Sequence, residues 1–564
     1  MLSAVTNLFR IVLLLVRMSR GVKHSRLFVW AVVISGVAGG VCNTAILAVI
    51  NSALNGPGTF TPKLVWGFAG LCLVIAFTRF VSGAVTVRLM QRGMFDLRMK
   101  LCRQILEAPL RVLEQVGAPR LLATLTGDIP NITEGLITLP LMLTNLAVMF
   151  GCLIYLGLLS WWLLLGVLCF MALGIVSYQV PVAAATRHFA RAREAMDALF
   201  KHLRGLTEGT KELKLHRRRS EAFVSEMLRP TTITMLREAV AGQTIWSAAN
   251  GWGQALFFTF IGLVIFAVPS LRPTSPAVLT GYTLAILYIM GPLEFLLNSL
   301  PRLGHADVAM RKIDALSAAL ASHPMNEEAR AEHDAQPSWR LLELRGVTHA
   351  YRGETQDSPF TLGPLDLELR PGEVVFITGG NGSGKTTLAK LLLGLYAPES
   401  GEIRLDGVAI TNENRDRYRQ LFSAVFSDFY LFESLLGLDA VNLDESANSY
   451  LAQLQLERGV RVADGVLSTL DLSQGQRKRL ALLTAYLENR PIYLFDEWAA
   501  DQDPHFKALF YLEMLPELKR AGKTALVISH DDRYFNVADR IIRLDYGRKE
   551  CDEWAGTGQG LAAV

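Results

Sequence analysis

The sequence predicts an all-α membrane domain of six helices followed by a soluble α/β domain with a phosphate-binding loop. Three observations carry this. Composition is uneven. Of 564 residues, 51% are hydrophobic and 19% charged, against roughly 25% charged in an average soluble domain. The deficit lies in residues 1–320, whereas 335–564 read as an ordinary soluble α/β protein. The second observation is a set of six long apolar stretches. The third is the loop Gly379-Gly-Asn-Gly-Ser-Gly-Lys-Thr386, placed between a strand-like and a helix-like run.

A membrane-spanning helix needs roughly 20 apolar residues. Residues 27–51, 64–87, 136–157, 160–181, 244–268 and 276–299 satisfy that length. Leu2–Met18 is apolar but short, interrupted by Arg10 and Arg17 and broken at Ser19-Arg20-Gly21. It reads as an interfacial helix over 1–26 that lies on the bilayer. A signal peptide is the rival reading, but no small-x-small cleavage site follows. Only about 26 residues precede the first span, too few for a Cys–His peptidase fold, so leader cleavage is not expected.

Lys and Arg are concentrated in two long loops. Between spans two and three stand Arg88, Arg92, Arg98, Lys100, Arg103, Arg111 and Arg120; between spans four and five, Arg187 to Lys214 and the run Arg217-Arg218-Arg219. The alternate loops are short and nearly uncharged. Excess positive charge marks the cytoplasmic side, which places both termini in the cytoplasm and leaves no extracytoplasmic domain. Both basic loops are helical in pattern and are expected to continue the spans into the cytoplasm. Their turns are expected at Gly117–Gly127 and at Leu206–Leu213.

Six Cys are present and none forms a CxxC or CxxH pair, so neither a disulfide framework nor a zinc site is supported. They read as small buried hydrophobes. Net charge is +4, too small to argue for a nucleic-acid partner.

A linker over 321–338 leads to the soluble domain, 339–564. Leu341–Val347, Leu365–Leu369 and Glu373–Thr378 read as strands, the last running into the glycine-rich loop. Gly379-x4-Gly384-Lys385-Thr386 followed by the helical run Leu388–Leu395 is the strand–loop–helix context of a P-loop. Glycines at 379, 382 and 384, with Asn381, Ser383 and Thr387 around them, let backbone N–H groups approach ATP phosphates. Lys385 reaches the outer phosphates as a point charge, and Thr386 Oγ1 suits Mg²⁺. Ile492–Glu497 is an apolar strand ending in two carboxylates. Asp496 suits Mg²⁺, and Glu497 suits a general base that polarises the attacking water. Leu472-Ser473-Gln474-Gly475-Gln476 opens a helix about 20 residues earlier and offers a second anion cradle, from Ser473, Gly475 and Gln476.

The order P-loop, LSxGQ, Asp-Glu strand and Ile528-Ser529-His530 resembles the nucleotide-binding domain of ATP-binding-cassette (ABC) transporters. The resemblance implies a membrane all-α six-helix ABC exporter domain followed by an α/β P-loop ATPase domain. It implies further roles: Tyr351 stacks on adenine, His530 contacts the γ-phosphate, and Ala500–Asp503 faces the opposite domain. In that family the LSxGQ cradle closes on ATP held by a second copy, so a chain with one cassette and six spans is expected to pair with an identical subunit. Phe422–Phe429, Asp496-Glu-Trp-Ala-Ala-Asp-Gln-Asp-Pro-His505, Ser529–Asp532 and Glu208–Leu213 extend the likeness over nearly the whole chain. They resemble the bacterial cyclic-peptide and siderophore exporters, the group of pyoverdine, syringomycin-type lipopeptide and lasso-microcin exporters. The implied function is ATP-driven export of a peptide-derived small molecule across the bacterial inner membrane, with a periplasmic or outer-membrane efflux partner left open. A lipid flippase or multidrug exporter is the alternative of the same architecture. A membrane-tethered ATPase acting on ribosomes or DNA would carry paired cassettes and would need no spans.

Two positions depart from the wider ABC pattern. Ser427-Asp428 stands where a Gln usually links Mg²⁺, water and membrane domain, so Asp428 or a water held by Ser427 is expected to substitute. Gln474 replaces the usual Gly in LSxGQ, which a cradle of hydroxyl and backbone groups tolerates. For cargo, intramembrane polar groups are candidates: Asn43, Arg79, Asn250, Gln254 and Glu294, with Trp246, Trp252 and Tyr282. Glu294 either faces a cavity, where it would pair with a cation, or reaches the interface.

Overall fold

The computed structural model describes residues 25–55, 62–320, 338–351, 360–438 and 442–554. The interfacial helix expected over 1–26, apart from Ser25 and Arg26, and the linker 321–338, apart from Ser338, lie outside them. The chain separates into two compact units. One comprises 1–102 and 119–317; the other comprises 103–118 and 318–564.

The first unit is helical throughout, because its apolar runs have no water to satisfy their backbone and must bond internally. In chain order the helices up to residue 320 are α1 (Ser25–Asn55), α2 (Pro62–Glu107), α3 (Leu110–Val116), α4 (Ala118–Leu159), α5 (Trp161–Glu208), α6 (Thr210–Leu215), α7 (Arg217–Leu271) and α8 (Pro276–Leu320), of which α3 belongs to the second unit. Six of them are long and apolar enough to cross a membrane, as the sequence predicts. The 46 residues of α2 run on the order of 70 Å at about 1.5 Å per residue, more than twice a hydrocarbon core of roughly 30 Å. The spans therefore continue well past the bilayer.

Helices α1, α4 and α8 pack as an inner bundle. Small residues let them approach: a Cβ on Gly40 would collide with Ala147, and one on Gly135 with Ala306. Polar side chains inside the bundle are paired. Tyr288 Oη donates to Asn43 Oδ1 (2.6 Å), Asn51 Nδ2 to Tyr155 Oη (2.9 Å), and Tyr282 Oη to the Leu156 carbonyl (2.8 Å). Asn43 and Tyr282 are thus buried packing residues, not cavity groups. Helices α5 and α7 run as a second pair, joined by Phe170 stacked on Phe260 (4.4 Å) and by His188 Nδ1 to Glu238 Oε2 (2.7 Å). On α2, Leu73, Phe77 and Phe80 stay exposed, which an apolar solvent permits. The six cysteines are free. Cys152 is buried, whereas Cys72 and Cys169 lie on the outer surface of their helices, since lipid tolerates a thiol where water would favour burial.

The second unit holds two sheets. Strands β1 (Leu342–Tyr351), β2 (Phe360–Leu369), β4 (Ser400–Leu405) and β5 (Val408–Ala409) form an antiparallel sheet in the order β2-β1-β4-β5. The larger sheet has the order β12-β11-β3-β10-β9-β6. Its members are β3 (Val374–Gly379), β6 (Phe422–Val425), β9 (Ile492–Asp496), β10 (Thr524–Ile528), β11 (Arg540–Asp545) and β12 (Arg548–Trp554). A small hairpin, β7 (Val462–Ala463) and β8 (Val466–Leu467), completes the strands. Strands β3, β9 and β10 are buried along their length, as parallel strands covered on both faces must be. Helix α9 (Lys385–Leu392) follows β3, and α10 (Gln474–Glu488) precedes β9.

One turn differs from expectation. The turn of the first long basic loop falls at α3, not at Gly117–Gly127. Ala108-Pro109 ends the preceding helix because Pro lacks the N–H and disfavours helical geometry before it. Gly117 then closes α3 with φ +80°. Residues 118–128 continue into α4 as helix. The second turn lies where expected, with α5 ending at Glu208 and α6 starting at Thr210.

Candidate functional site

Strand order builds the site. In the parallel core Ile528 stands beside both Asp496 and Ile377, and Val425 beside Phe495. The C-terminal ends of β3, β10, β9 and β6 therefore open on one edge, where ligands bind in open α/β sheets. They deliver, side by side, the 379–387 loop, His530, Asp496-Glu497 and Ser427-Asp428.

The loop has the shape of an anion cradle. Gly379, Gly382 and Gly384 take φ of +142°, +77° and +100°, a region that side chains avoid. Asn381 and Gly382 are exposed at the lip, and Thr387 is half-buried at the start of α9. Lys385 Nζ donates to the carbonyls of Gly379 and Gly380, both at 3.0 Å. Burial holds the Lys385 ammonium below its ordinary range, against the opposing pull of Glu497 and Asp496. Ser383 Oγ is buried with no partner among the described residues. An orphaned hydroxyl and a desolvated ammonium in a loop of positive-φ glycines fit a polyphosphate.

Asp496 and Thr386 fit a divalent ion. Asp496 is buried, and Thr386 Oγ1 donates to its Oδ2 at 3.4 Å. Burial raises the Asp496 carboxyl above its usual range, and the charges of Glu497 and Asp428 push the same way. Mg²⁺ commonly takes one or two carboxylates and completes its shell with phosphates and water. Ser427 and Asp428 are both exposed at the end of β6, with Asp428 close enough to act on Asp496 electrostatically. Glu497 sits half-buried in left-handed backbone, φ +50°. His530 Nε2 meets Glu497 Oε1 at 3.1 Å, so the base position and the His530 imidazole share one opening. Tyr351 ends β1, and its side chain falls outside the described residues.

Ser473 caps α10. Its hydroxyl accepts from Gln476 N (3.4 Å), and Gln476 Oε1 accepts from Ser473 N (3.1 Å), a capping box. Gly475 O accepts from Gln502 Nε2 (3.1 Å). Among the described residues none of these bonds reaches the 379–387 loop of the same chain.

Two features escaped the sequence reading. The first is that Trp498–Asp503 bonds to α10 of its own chain. Trp498 is fully buried against Phe510 (4.6 Å) and donates from Nε1 to the Lys478 carbonyl (2.7 Å). The buried Lys478 ammonium meets Asp501 (2.7 Å) and the Glu497 carbonyl (3.2 Å). Arg479 binds Gln502 Oε1 (3.0 Å) and Asp503 Oδ2 (2.8 Å). The string thus clamps the start of α10 to the end of β9. Lys478 sits inside the basic triplet Arg477-Lys478-Arg479, so nothing local marked it as the buried member.

The second is α3, which clusters with the soluble unit. Glu114 Oε1 accepts from Lys390 Nζ (2.7 Å), and Glu114 also accepts from Tyr396 Oη. Lys390 lies on α9, one turn and a half beyond Lys385. Arg111 pairs with Glu399 (2.8 Å), whose other oxygen accepts from Ala350 N (3.3 Å), next to Tyr351. Leu110 packs on the core beneath. Helix α3 therefore holds both the P-loop helix and the strand end that carries Tyr351.

Comparison with known proteins agrees with this geometry. Residues 362–500 match the ABC transporter family and residues 27–293 the ABC transporter transmembrane region. The chain is 39% identical over 522 residues to the ATP-binding protein SyrD of Pseudomonas syringae pv. syringae, covering 91% of this chain and 92% of that one. It is 27% identical to an ATP-dependent lipid A-core flippase of Alkalilimnicola ehrlichii, over 85% of this chain and 82% of the relative. A flippase of the same name from Dechloromonas aromatica is also 27% identical, over 87% and 83%.

Proposed function

The chain belongs to the ABC transporter family, a multi-pass membrane protein with an ATPase coupled to transport, and from that premise we propose that it is a half-transporter exporting a peptide-derived small molecule. The cargo class is a cyclic peptide, lipopeptide or siderophore, moved out across the bacterial inner membrane by a homodimer with all termini cytoplasmic. The observation that carries the dimer is the separation just described: among the described residues the Ser473 cradle makes no bond to its own P-loop. Identity to SyrD exceeds identity to the lipid A-core flippases, 39% against 27%, and the Trp498–Asp503 string resembles peptide exporters. The flippase relatives nonetheless keep a lipid cargo as the second reading.

The residues divide the work. ATP with Mg²⁺ supplies the phosphoanhydride whose binding and cleavage drive the cycle. Lys385, the glycine N–H groups and Ser383 hold the phosphates. Thr386 and Asp496 hold the metal. Glu497 takes the proton of the attacking water while His530 orients the Glu497 carboxylate. Ser473, Gly475 and Gln476 of the second subunit close the other side. Closure is favoured only by interactions that the open state lacks, and this difference in affinity shifts the population. Purified protein in phospholipid vesicles should hydrolyse ATP faster with a cyclic lipopeptide than with lipid A, and should accumulate the peptide in inverted vesicles. Stimulation by lipid A alone would transfer the chain to the flippase reading.

Helix α3 offers a direct route from membrane helices to phosphate loop. Its Glu114–Lys390 pair reaches α9 without passing through Ser427-Asp428. Glu114→Ala is expected to lower cargo-stimulated hydrolysis severalfold and leave ATP affinity unchanged, and the swap Glu114→Lys with Lys390→Glu should restore it. The route through β6 is the competitor. If Asp428→Ala and Ser427→Ala each leave ATPase rate and cargo coupling unchanged, neither residue stands in for the usual Gln.

A further inference from the structure

Between α5, α7 and α8 lies a cavity walled by Phe170, Met171, Phe257, Phe260, Ile289 and Leu293. Its polar groups are few: Tyr178, Asn250, Gln254 and Glu294. Two of them satisfy each other, since Tyr178 Oη donates to Asn250 Oδ1 at 2.9 Å. Glu294 is exposed to the cavity and forms no hydrogen bond or ion pair among the described residues. Among the described residues no Lys, Arg or His lines the cavity.

Depth matters as much as composition. At about 1.5 Å per residue, the stretch of α8 from Pro276 to Glu294 rises on the order of 27 Å. The hydrocarbon core is roughly 30 Å thick. With Pro276 at one face of the bilayer, Glu294 stands near the opposite boundary. The aromatic walls at Phe170 on α5 and at Phe257 and Phe260 on α7 lie deeper. The cavity is lined mainly by apolar side chains and carries one carboxyl group, Glu294, without an ion-pair partner among the described residues.

We propose that this cavity is a cargo subsite for an organic cation bearing an apolar tail. The tail lies among Phe170, Phe257 and Phe260, and the ammonium or guanidinium group pairs with Glu294. The inference rests on the export reading and narrows its substrate class. A carboxylate at the edge of hydrocarbon is costly without a partner, and the cavity supplies no counter-ion of its own. A cationic ligand supplies one, while its tail leaves water for an apolar wall. An anionic lipid headgroup would add like-charge repulsion at the same point, a discrimination by exclusion.

The test uses the full-length protein in phosphatidylcholine vesicles and three N-dodecanoyl tripeptide amides of equal length. One carries two lysines, one two serines and one two glutamates. The reading is the concentration that gives half-maximal stimulation of ATP hydrolysis. The lysine probe is expected to act at about tenfold lower concentration than the serine probe, equivalent to about 1.4 kcal/mol, with the glutamate probe weakest. Glu294→Gln should erase the advantage of the lysine probe and leave the serine value in place; Glu294→Asp should keep most of it. Equal potency of the lysine and serine probes on wild type overturns the proposal, even if no variant can be purified. So does a Glu294→Gln variant that weakens all probes alike, since that marks a packing role. If no probe stimulates wild type, the peptide-export reading falls together with this subsite; if serine and lysine probes stimulate equally, export stands and the cation subsite falls.

Discussion

Glu497→Gln is expected to lower steady-state ATP hydrolysis by about 10²-fold or more, the usual contribution of a positioned general base, while ATP binding persists. The substitution keeps shape and removes the basic oxygen. Lys385, Thr386 and Asp496 are untouched, so the nucleotide is still held. His530 Nε2, now 3.1 Å from Glu497 Oε1, keeps an acceptor in the amide oxygen, and the φ of +50° at position 497 is as accessible to Gln as to Glu. Turnover fails at the chemical step and the cassettes accumulate in the closed pair. The measurement is ATPase rate together with nucleotide retention and particle size of the purified protein. A variant that hydrolyses at the wild-type rate removes Glu497 from the role. A variant that neither hydrolyses nor retains ATP points to a damaged fold.

Trp498→Ala is expected to destabilise the cassette by about 3–5 kcal/mol, the range for emptying a buried aromatic site. Trp498 is 1% exposed, stacks near Phe510 and Phe506, and gives its Nε1 proton to the Lys478 carbonyl. Truncation leaves a cavity and removes the side-chain hydrogen bond that ties the Lys478 carbonyl of α10 to position 498. Lys478, buried with Asp501 and the Glu497 carbonyl as partners, would lose its alignment, and with it the backbone of Glu497. The cassette's unfolding midpoint should fall on the order of 10 °C, followed by thermal denaturation of the full chain. Trp498→Phe loses the hydrogen bond and part of the ring volume but keeps an aromatic filling, so it should cost less than Trp498→Ala, about 1–3 kcal/mol. A Trp498→Ala midpoint within two degrees of wild type, roughly the shift produced by 1 kcal/mol in a domain this size, would sink the clamp.

Local sequence was a sufficient guide wherever local physics sets the answer. The six spans follow from run length and hydropathy, and their helices match those runs because lipid leaves no alternative to internal hydrogen bonds. The start of α9 at Lys385 and of α10 after Ser473 follows from glycine geometry and a capping box. Strand β9 was readable as an apolar run closed by two carboxylates. The α3 turn was legible in principle, because Pro109 and Gly117 bracket it. A loop rich in Gly and Thr further along drew the expectation to the wrong place.

What single residues and their spacing settled was the inventory: which segments enter lipid, which loop receives phosphate, which carboxylates are at hand. What needed the folded chain was who meets whom. Lys385, Ser427, Asp496 and His530 share an edge only because β3, β10, β9 and β6 pair in that order. Trp498 turned out to anchor its own chain, and Glu114 to hold Lys390 across 276 residues. Backbone propensity and hydropathy act over a few residues and so are written along the chain. Strand pairing and charge contacts act across space, between residues whose separation in sequence carries no trace of them.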